Sequence, residues 1–168
     1  MRWQAGFTMI ELVTVMVLIG ALAAIGIPRL MGSNTTATMV FGDQVVSALR
    51  HAQKTAVARR RLVCVTLEGK AVRLRMREDF GLPGAGVPCT LSTGATDTEY
   101  GSTNDSVIAG AGSFAGQASI ALFFHPDGTV SKDAAGTSFV TRSDSIGIKD
   151  GNSVARTIVV EGSTGYVQ

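Results

Sequence analysis

The chain has 168 residues, 45% hydrophobic and 17% charged, with a positive mean hydropathy. That leaves room for one compact domain plus an anchor and argues against a disordered chain. A formal net charge of +2 is too small to imply nucleic-acid binding by itself, and 20 glycines against 4 prolines point to a loop-rich β domain instead of a helical bundle.

Near the start of the sequence, Met9 to Ile27 is nearly all apolar, broken only by Glu11, Thr14 and small residues. As a helix, Phe7 to Ile27 spans about 30 Å at roughly 1.5 Å per residue, enough to cross a bilayer core. Three readings fit such a run. One is a secretory signal cut near Ala21-Leu22-Ala23. Another is an uncut membrane anchor. The third is a signal cut before the apolar stretch, so that the helix stays on the mature chain. Glu11 separates them. A carboxylate in an apolar helix costs roughly 2.5–3.5 kcal/mol near the bilayer centre, so it calls for a neutralising partner. A plain signal or anchor has no use for one, whereas a helix that packs among copies of itself does.

The run Gly6-Phe7-Thr8-Met9-Ile10-Glu11 resembles the prepilin peptidase site of the type IV pilin family. The resemblance implies cleavage after Gly6 and N-methylation of the new terminus, Phe7. It also implies that Glu11 pairs with the N-terminal amine of an adjacent subunit during assembly. Pro28 stands where the family has its helix-kinking proline, and proline removes a backbone donor there. Thr14, Gly20 and Gly26 are weaker signals, since small residues are common in membrane helices.

After Pro28-Arg29, the Gly32-Ser33-Asn34-Thr35-Thr36 stretch is a weak helix former, and a break is expected. Helical spacing resumes with Phe41, Val45, Leu49, Ala52 and Ala56 on one face, while Asp43, Gln44, Ser47, Arg50, Gln53 and Lys54 fall mostly on the other. This is an amphipathic helix laid against a sheet. His51 lies among polar neighbours and reads as a surface residue. Arg59-Arg60-Arg61 close the helix, where cations suit the negative end of its dipole.

Strands are expected at Leu62–Leu67 and Ala71–Arg77, joined by Glu68-Gly69-Lys70. In the second, Val72, Leu74 and Met76 face the core, and Arg73, Arg75 and Arg77 form an exposed basic stripe. Charge is unevenly spread along the chain. From Arg50 to Arg77 there are nine basic residues and one acid, Glu68; from Glu78 onward ten acids face four bases. The two regions could attract each other or neighbouring copies. Residues 79–117 are rich in Gly, Ser, Thr and Ala. A structureless loop of that length is uncommon in a compact domain, so short strands are expected inside it. Further strands follow at Ser119–Phe124, Ser138–Thr141, Ser145–Ile148, Arg156–Val160 and Tyr166-Val167, with a turn at His125–Thr129. The order is one long helix followed by a mostly antiparallel sheet, an α+β fold.

The Phe123–Thr129 stretch, Phe-Phe-His-Pro-Asp-Gly-Thr, resembles the F-x-P-x-G-type turn of the GspH/FimT subgroup of minor pilins and pseudopilins. Ala48–Ala56 resembles that subgroup's L-x-x-A-x-x-x-A helix, and Arg156–Val160 with Gly165 its closing hairpin. The likeness is thin over residues 78–118. Within the subgroup the chain is most similar to minor pilins of the mannose-sensitive haemagglutinin type. The implied organisation is a leader at 1–6, a transmembrane and filament-core helix at 7–28, an amphipathic helix at 29–61 and a periplasmic β-rich domain at 62–168. The implied partners are major and minor pilins, the prepilin peptidase, the inner-membrane assembly platform and inner-membrane lipid. The family's globular domain faces the periplasm, where disulfides persist, so a Cys64–Cys89 bridge is expected.

Two other readings stay open: a pseudopilin of a type II secretion machine, and a pilus-associated DNA-binding protein. For the second, Arg59, Arg60, Arg61, Arg73, Arg75 and Arg77 are candidate phosphate contacts. The DNA-binding relatives carry an arginine-rich tail, whereas residues 162–168 here hold none, which counts against DNA. No catalytic constellation is expected. Cys64 with His125 would need closeness that the sequence does not support, and Asp127-Gly128 reads as turn chemistry. The two histidines have no metal-ligand spacing, and no cofactor is expected.

Overall fold

The computed structural model describes residues 7–30, 34–79, 89–93, 99–102 and 105–168, without the side chains of 25–30, 34, 35 and 99. Two compact units result, one built on helix α1 (Met9–Leu30) and one spanning residues 34–168. The second unit opens with helix α2 (Asn34–Arg59). Phe41, Val45, Leu49, Ala52 and Ala56 are all buried there, as their spacing requires, while Asp43, Gln44, Ser47 and Arg50 are exposed. The helix ends where Arg60 adopts a left-handed φ of 51° and the Arg61 amide donates to the Ala56 carbonyl at 3.2 Å. That 6→1 bond is the Schellman closure, made here without the usual glycine.

Strands β1 (Val63–Glu68) and β2 (Ala71–Arg77) form a hairpin in which Glu68 faces Ala71. Gly69, with φ 50°, supplies the positive dihedral that a two-residue hairpin turn needs. Within residues 79–117 lie β3 (Cys89–Leu91), β4 (Glu99–Gly101), β5 (Ser106–Gly110) and a 3₁₀ turn at Gly112–Phe114, so the expectation of short strands there holds. β6 (Ser119–Phe124) pairs with β1 in full register. It then turns through His125–Thr129 into β7 (Val130–Ser131). The chain closes with β8 (Ser145–Asp150) and β9 (Ser153–Val159).

The fold is α+β as expected, but the strands form two antiparallel sheets instead of one. The larger runs β3-β2-β1-β6-β7, with β4 also on β2, and the smaller runs β5-β8-β9. Alternation along a strand tells which face is buried, not which strand lies alongside. α2 packs across both sheets. Its apolar face meets Val63, Val65, Leu74, Leu122 and Phe124 from one and Ile146, Ile148 and Ile158 from the other, all buried. The strand expected at Ser138–Thr141 is a single bridge, Ser131 to Phe139, and Tyr166-Val167 likewise makes one bridge, Val160 to Val167. Backbone bonds flank each bridge, from Lys132 to the Ser138 carbonyl and from Val140 to the Val130 carbonyl in one, and from Glu161 to the Tyr166 carbonyl and between Val159 and Gln168 in the other.

Candidate functional site

At the start of α1, Thr8 sits at the N-cap. The Glu11 amide donates to Thr8 Oγ1 at 3.4 Å, and Thr8 Oγ1 donates to the Glu11 carboxylate at 3.5 Å. The amide bond from Glu11 to the Thr8 hydroxyl is the N-cap half of a capping box, and the hydroxyl's contact with the carboxylate holds that group against the first turn of its helix. Thr14 bonds back to the Ile10 carbonyl at 2.7 Å, satisfying its hydroxyl inside the helix. Around these polar groups the apolar side chains Phe7, Met9, Ile10, Leu12, Leu18 and Leu22 are all exposed. Gly6 and the side chain of Pro28 lie outside the described residues; α1 continues through position 28 to Leu30. Among the described residues no helix is long and apolar enough to cross a membrane. The part of α1 with described side chains stops at Ala24.

The basic residues do not form the expected stripe. Arg59 and Arg60 are exposed and Arg61 is half-buried. Arg73 pairs with Glu68 at 3.2 Å, and Arg75 is exposed. Arg77, expected alongside them, is buried, with 7% of its surface exposed. The register of β2 against β3 shifts between Met76 and Arg77, and such a bulge breaks the alternation on which the stripe was read. Cys64 and Cys89 are disulfide-bonded with Cα atoms 6.1 Å apart, joining the two strands that flank β2.

His125 is buried, and its Nε2 lies 2.6 Å from Ser131 Oγ. Ser131 donates its single proton to the Asp133 carbonyl at 2.6 Å, so Nε2 carries a hydrogen and donates to Ser131 Oγ. Burial lowers the His125 pKa, against the raising effect of Asp127 and Asp133. Asp127 accepts from the Thr129 amide and hydroxyl, as a turn aspartate does, and these bonds lower its pKa. Nothing in this geometry brings Cys64 to His125 as a reactive pair, because the sulfur is in the disulfide. Among the described residues no group of three or more His, Cys, Asp or Glu could hold a metal.

One polar centre had no sequence expectation. Asp144, with 3% exposure, accepts from the amides of Ser113 (2.8 Å) and Thr141 (3.0 Å), from Thr141 Oγ1 (2.8 Å) and from Lys132 Nζ (3.1 Å). Burial would raise its pKa, but the bonds from Ser113 and Thr141 outweigh that and hold it well below the usual carboxylate range. The carboxylate thereby ties three separate loops together, a structural role. The only sequence signal was Thr141-x-x-Asp144, a pattern shared with ordinary turns.

The N-terminal geometry can therefore present a capped carboxylate within an apolar helix, ahead of a separately folded helix-on-sheet unit. Comparison with known families bears on that end of the chain. Residues 1–27 match the prokaryotic N-terminal methylation motif. Among solved structures, the chain is similar to the type IV minor pilin FimU of Pseudomonas aeruginosa strain PAO1 in two crystal forms. The P65 form is 16% identical, the match covering 77% of this chain and 90% of that one, with a TM-score of 0.47. The P21 form is 15% identical, covering 77% and 85%, with a TM-score of 0.49. No curated protein matches the chain.

Proposed function

We propose that this chain is a minor pilin or pseudopilin, a membrane-anchored subunit that helps assemble, or caps, a type IV pilus-like filament. The observation that carries the reading is the methylation motif over residues 1–27, which takes in most of α1, a helix whose described apolar side chains find no cover within their own unit. Prepilin peptidase cuts between Gly6 and Phe7, and Phe7 is methylated. The run Phe7–Ile27 holds the chain in the inner membrane as a single pass, with the β unit in the periplasm. On assembly that helix leaves lipid and packs among other pilin helices in the filament core.

Glu11 is the chemical reason this transfer is directed. In an apolar surrounding its charge is costly unless met by a cation, and the α-amine of a neighbouring subunit's Phe7 is the cation that a cut at Gly6 creates. The Thr8 contact keeps the carboxylate at the first turn, facing outward. Pro28 kinks the anchor helix near its C-terminal end. The structural role needs no catalytic group, metal or cofactor. Arg73 already has a carboxylate partner and Arg77 is buried, so the observed surface gives the DNA-binding reading less support than the sequence did. A pilus and a type II secretion pseudopilus use the same anchor chemistry.

Glu11→Val, expressed in the native host, tests the reading. Processing at Gly6 should continue while recovery of the subunit in sheared filaments falls at least tenfold. Normal incorporation of the variant would remove the role given to Glu11.

A further inference from the structure

A cavity of about 610 Å³ opens between residues 139–142 and the turn at 161–166, a volume in the range of small-molecule sites. Backbone bonds within residues 129–166 hold both walls. The Val140 amide donates to the Val130 carbonyl at 3.1 Å, the Val130 amide to the Gly162 carbonyl at 2.7 Å, and the Glu161 amide to the Tyr166 carbonyl at 2.9 Å. The walls meet so closely at the base that a Cβ on Gly162 would lie 2.2 Å from the Val140 carbonyl oxygen. Thr141, next to Arg142, is tied by its amide and hydroxyl to Asp144. Glu161 and Tyr166 stand opposite each other, and residues opposed in an antiparallel pair point their side chains to one face. The lining is therefore fixed in advance of any ligand.

Four of the lining side chains are not used by the fold. Phe139 and Tyr166 are 48% and 58% exposed, whereas Phe41, Phe114 and Phe124 of the same unit are buried. Arg142 and Glu161 are exposed as well. They carry opposite charges on one cavity, yet among the described residues neither makes an ion pair, with the other or with a third group. The Glu161 carboxylate accepts one long bond, 3.4 Å, from the Thr164 hydroxyl.

We propose that this cavity binds a small zwitterion, with its ammonium group against Phe139, Tyr166 and Glu161 and its anionic group against Arg142. An ammonium group over an aromatic face is attracted by the ring quadrupole, and the carboxylate beside it supplies the counter-charge. The guanidinium takes a phosphate or carboxylate by two parallel N–H bonds. The pair of charges selects the class. A simple cation is repelled by Arg142 and a simple anion by Glu161, and an apolar molecule strips water from both without returning a partner. A neutral sugar stacks on the rings but gives neither charge a counter-charge. The same zwitterionic chemistry is carried by free ammonium compounds and by phospholipid headgroups. The inference goes beyond the filament reading, and its test needs no filament.

Phosphocholine and glycine betaine are the probes. They are titrated into the full chain in a polyoxyethylene detergent, which carries neither sugar nor ammonium, while amide shifts are followed by NMR. Shifts at Phe139, Arg142 and Tyr166 should saturate. Choline and inorganic phosphate, the two halves of phosphocholine, should each bind about tenfold more weakly, because a joined ligand makes its second contact without a second loss of freedom. Arg142→Gln should reduce phosphocholine affinity to that of choline and leave choline unchanged, whereas Glu161→Gln should weaken both. Both residues are exposed, and unchanged melting curves would show that the fold is kept. Dihexanoyl-phosphatidylcholine, added below its micelle concentration, separates the sources. Saturable shifts at the same amides identify a lipid headgroup as a ligand, and their absence beside phosphocholine binding restricts the site to free ligands. Absence of saturable shifts with both probes overturns the site. Choline, phosphate or methyl glucoside binding as tightly as phosphocholine overturns the choice of a zwitterion.

Discussion

Truncating Asp144 to alanine should destabilise the 34–168 unit by about 3 kcal/mol. The carboxylate is 3% exposed and accepts four bonds, from two backbone amides, one hydroxyl and one ammonium group. Bonds to a charged acceptor contribute roughly 1.5–3 kcal/mol each, but they are not additive. Thr141 and Ser113 are exposed residues and Lys132 is partly so. Water can therefore recover part of the loss at each donor, which places the sum near the value for one to two such bonds. With an unfolding entropy of about 2.1 cal/mol/K per residue, a unit of this size should melt roughly 10 °C lower. Urea unfolding of wild type and Asp144→Ala, followed by circular dichroism, measures the gap directly. The folded-state pKa of Asp144 is depressed, so its contribution is fully present above the unfolded value of about 3.9 and is lost as pH falls through the folded value. The gap should be constant from about pH 7 to pH 5 and narrow below about pH 4. A gap under about 1 kcal/mol at pH 7 would refute the role assigned to those four bonds.

Replacing Arg60 with glycine should raise stability by about 0.5–1 kcal/mol, because the left-handed φ of 51° strains any residue with a Cβ; chemical denaturation reads this out, and a loss of stability would contradict the C-cap assignment. Cys64→Ser with Cys89→Ser should cost about 3 kcal/mol, the value for closing a loop of roughly 25 residues, seen as an earlier urea midpoint that matches the reduced wild type. The His125 pKa is lowered by burial, so the unfolded state binds a proton first: stability is full above about pH 6.5 and declines as pH falls below it. His125→Gln should flatten that limb of a pH–stability curve between about pH 6.5 and 5, and an unchanged slope would show that the ring is not held neutral.

Those parts of the fold set by local periodicity were legible in the sequence. The buried face of α2, the β1–β2 hairpin and β6 all follow from spacings of three to four or of two. Arg77 was misread because a bulge between Met76 and Arg77 leaves no mark in the residue pattern. The split into two sheets was equally hidden, since Ile146, Ile148 and Ile158 alternate just as Val63 and Val65 do. Asp144 was missed because its donors, Ser113 and Lys132, are distant in sequence, and only Thr141 lies nearby. The N-terminal motif was legible because it is linear, running from Gly6 to Glu11.

The central claim rests on how the first residues are processed, and mass spectrometry of the N-terminal peptide tests it most directly. The mature protein would be isolated from membranes and sheared filaments of the native host. The account predicts a chain that begins at Phe7 and carries one methyl group on its amine. An intact Met1, or a start within residues 21–24, would contradict prepilin processing and with it the assembly role of Glu11.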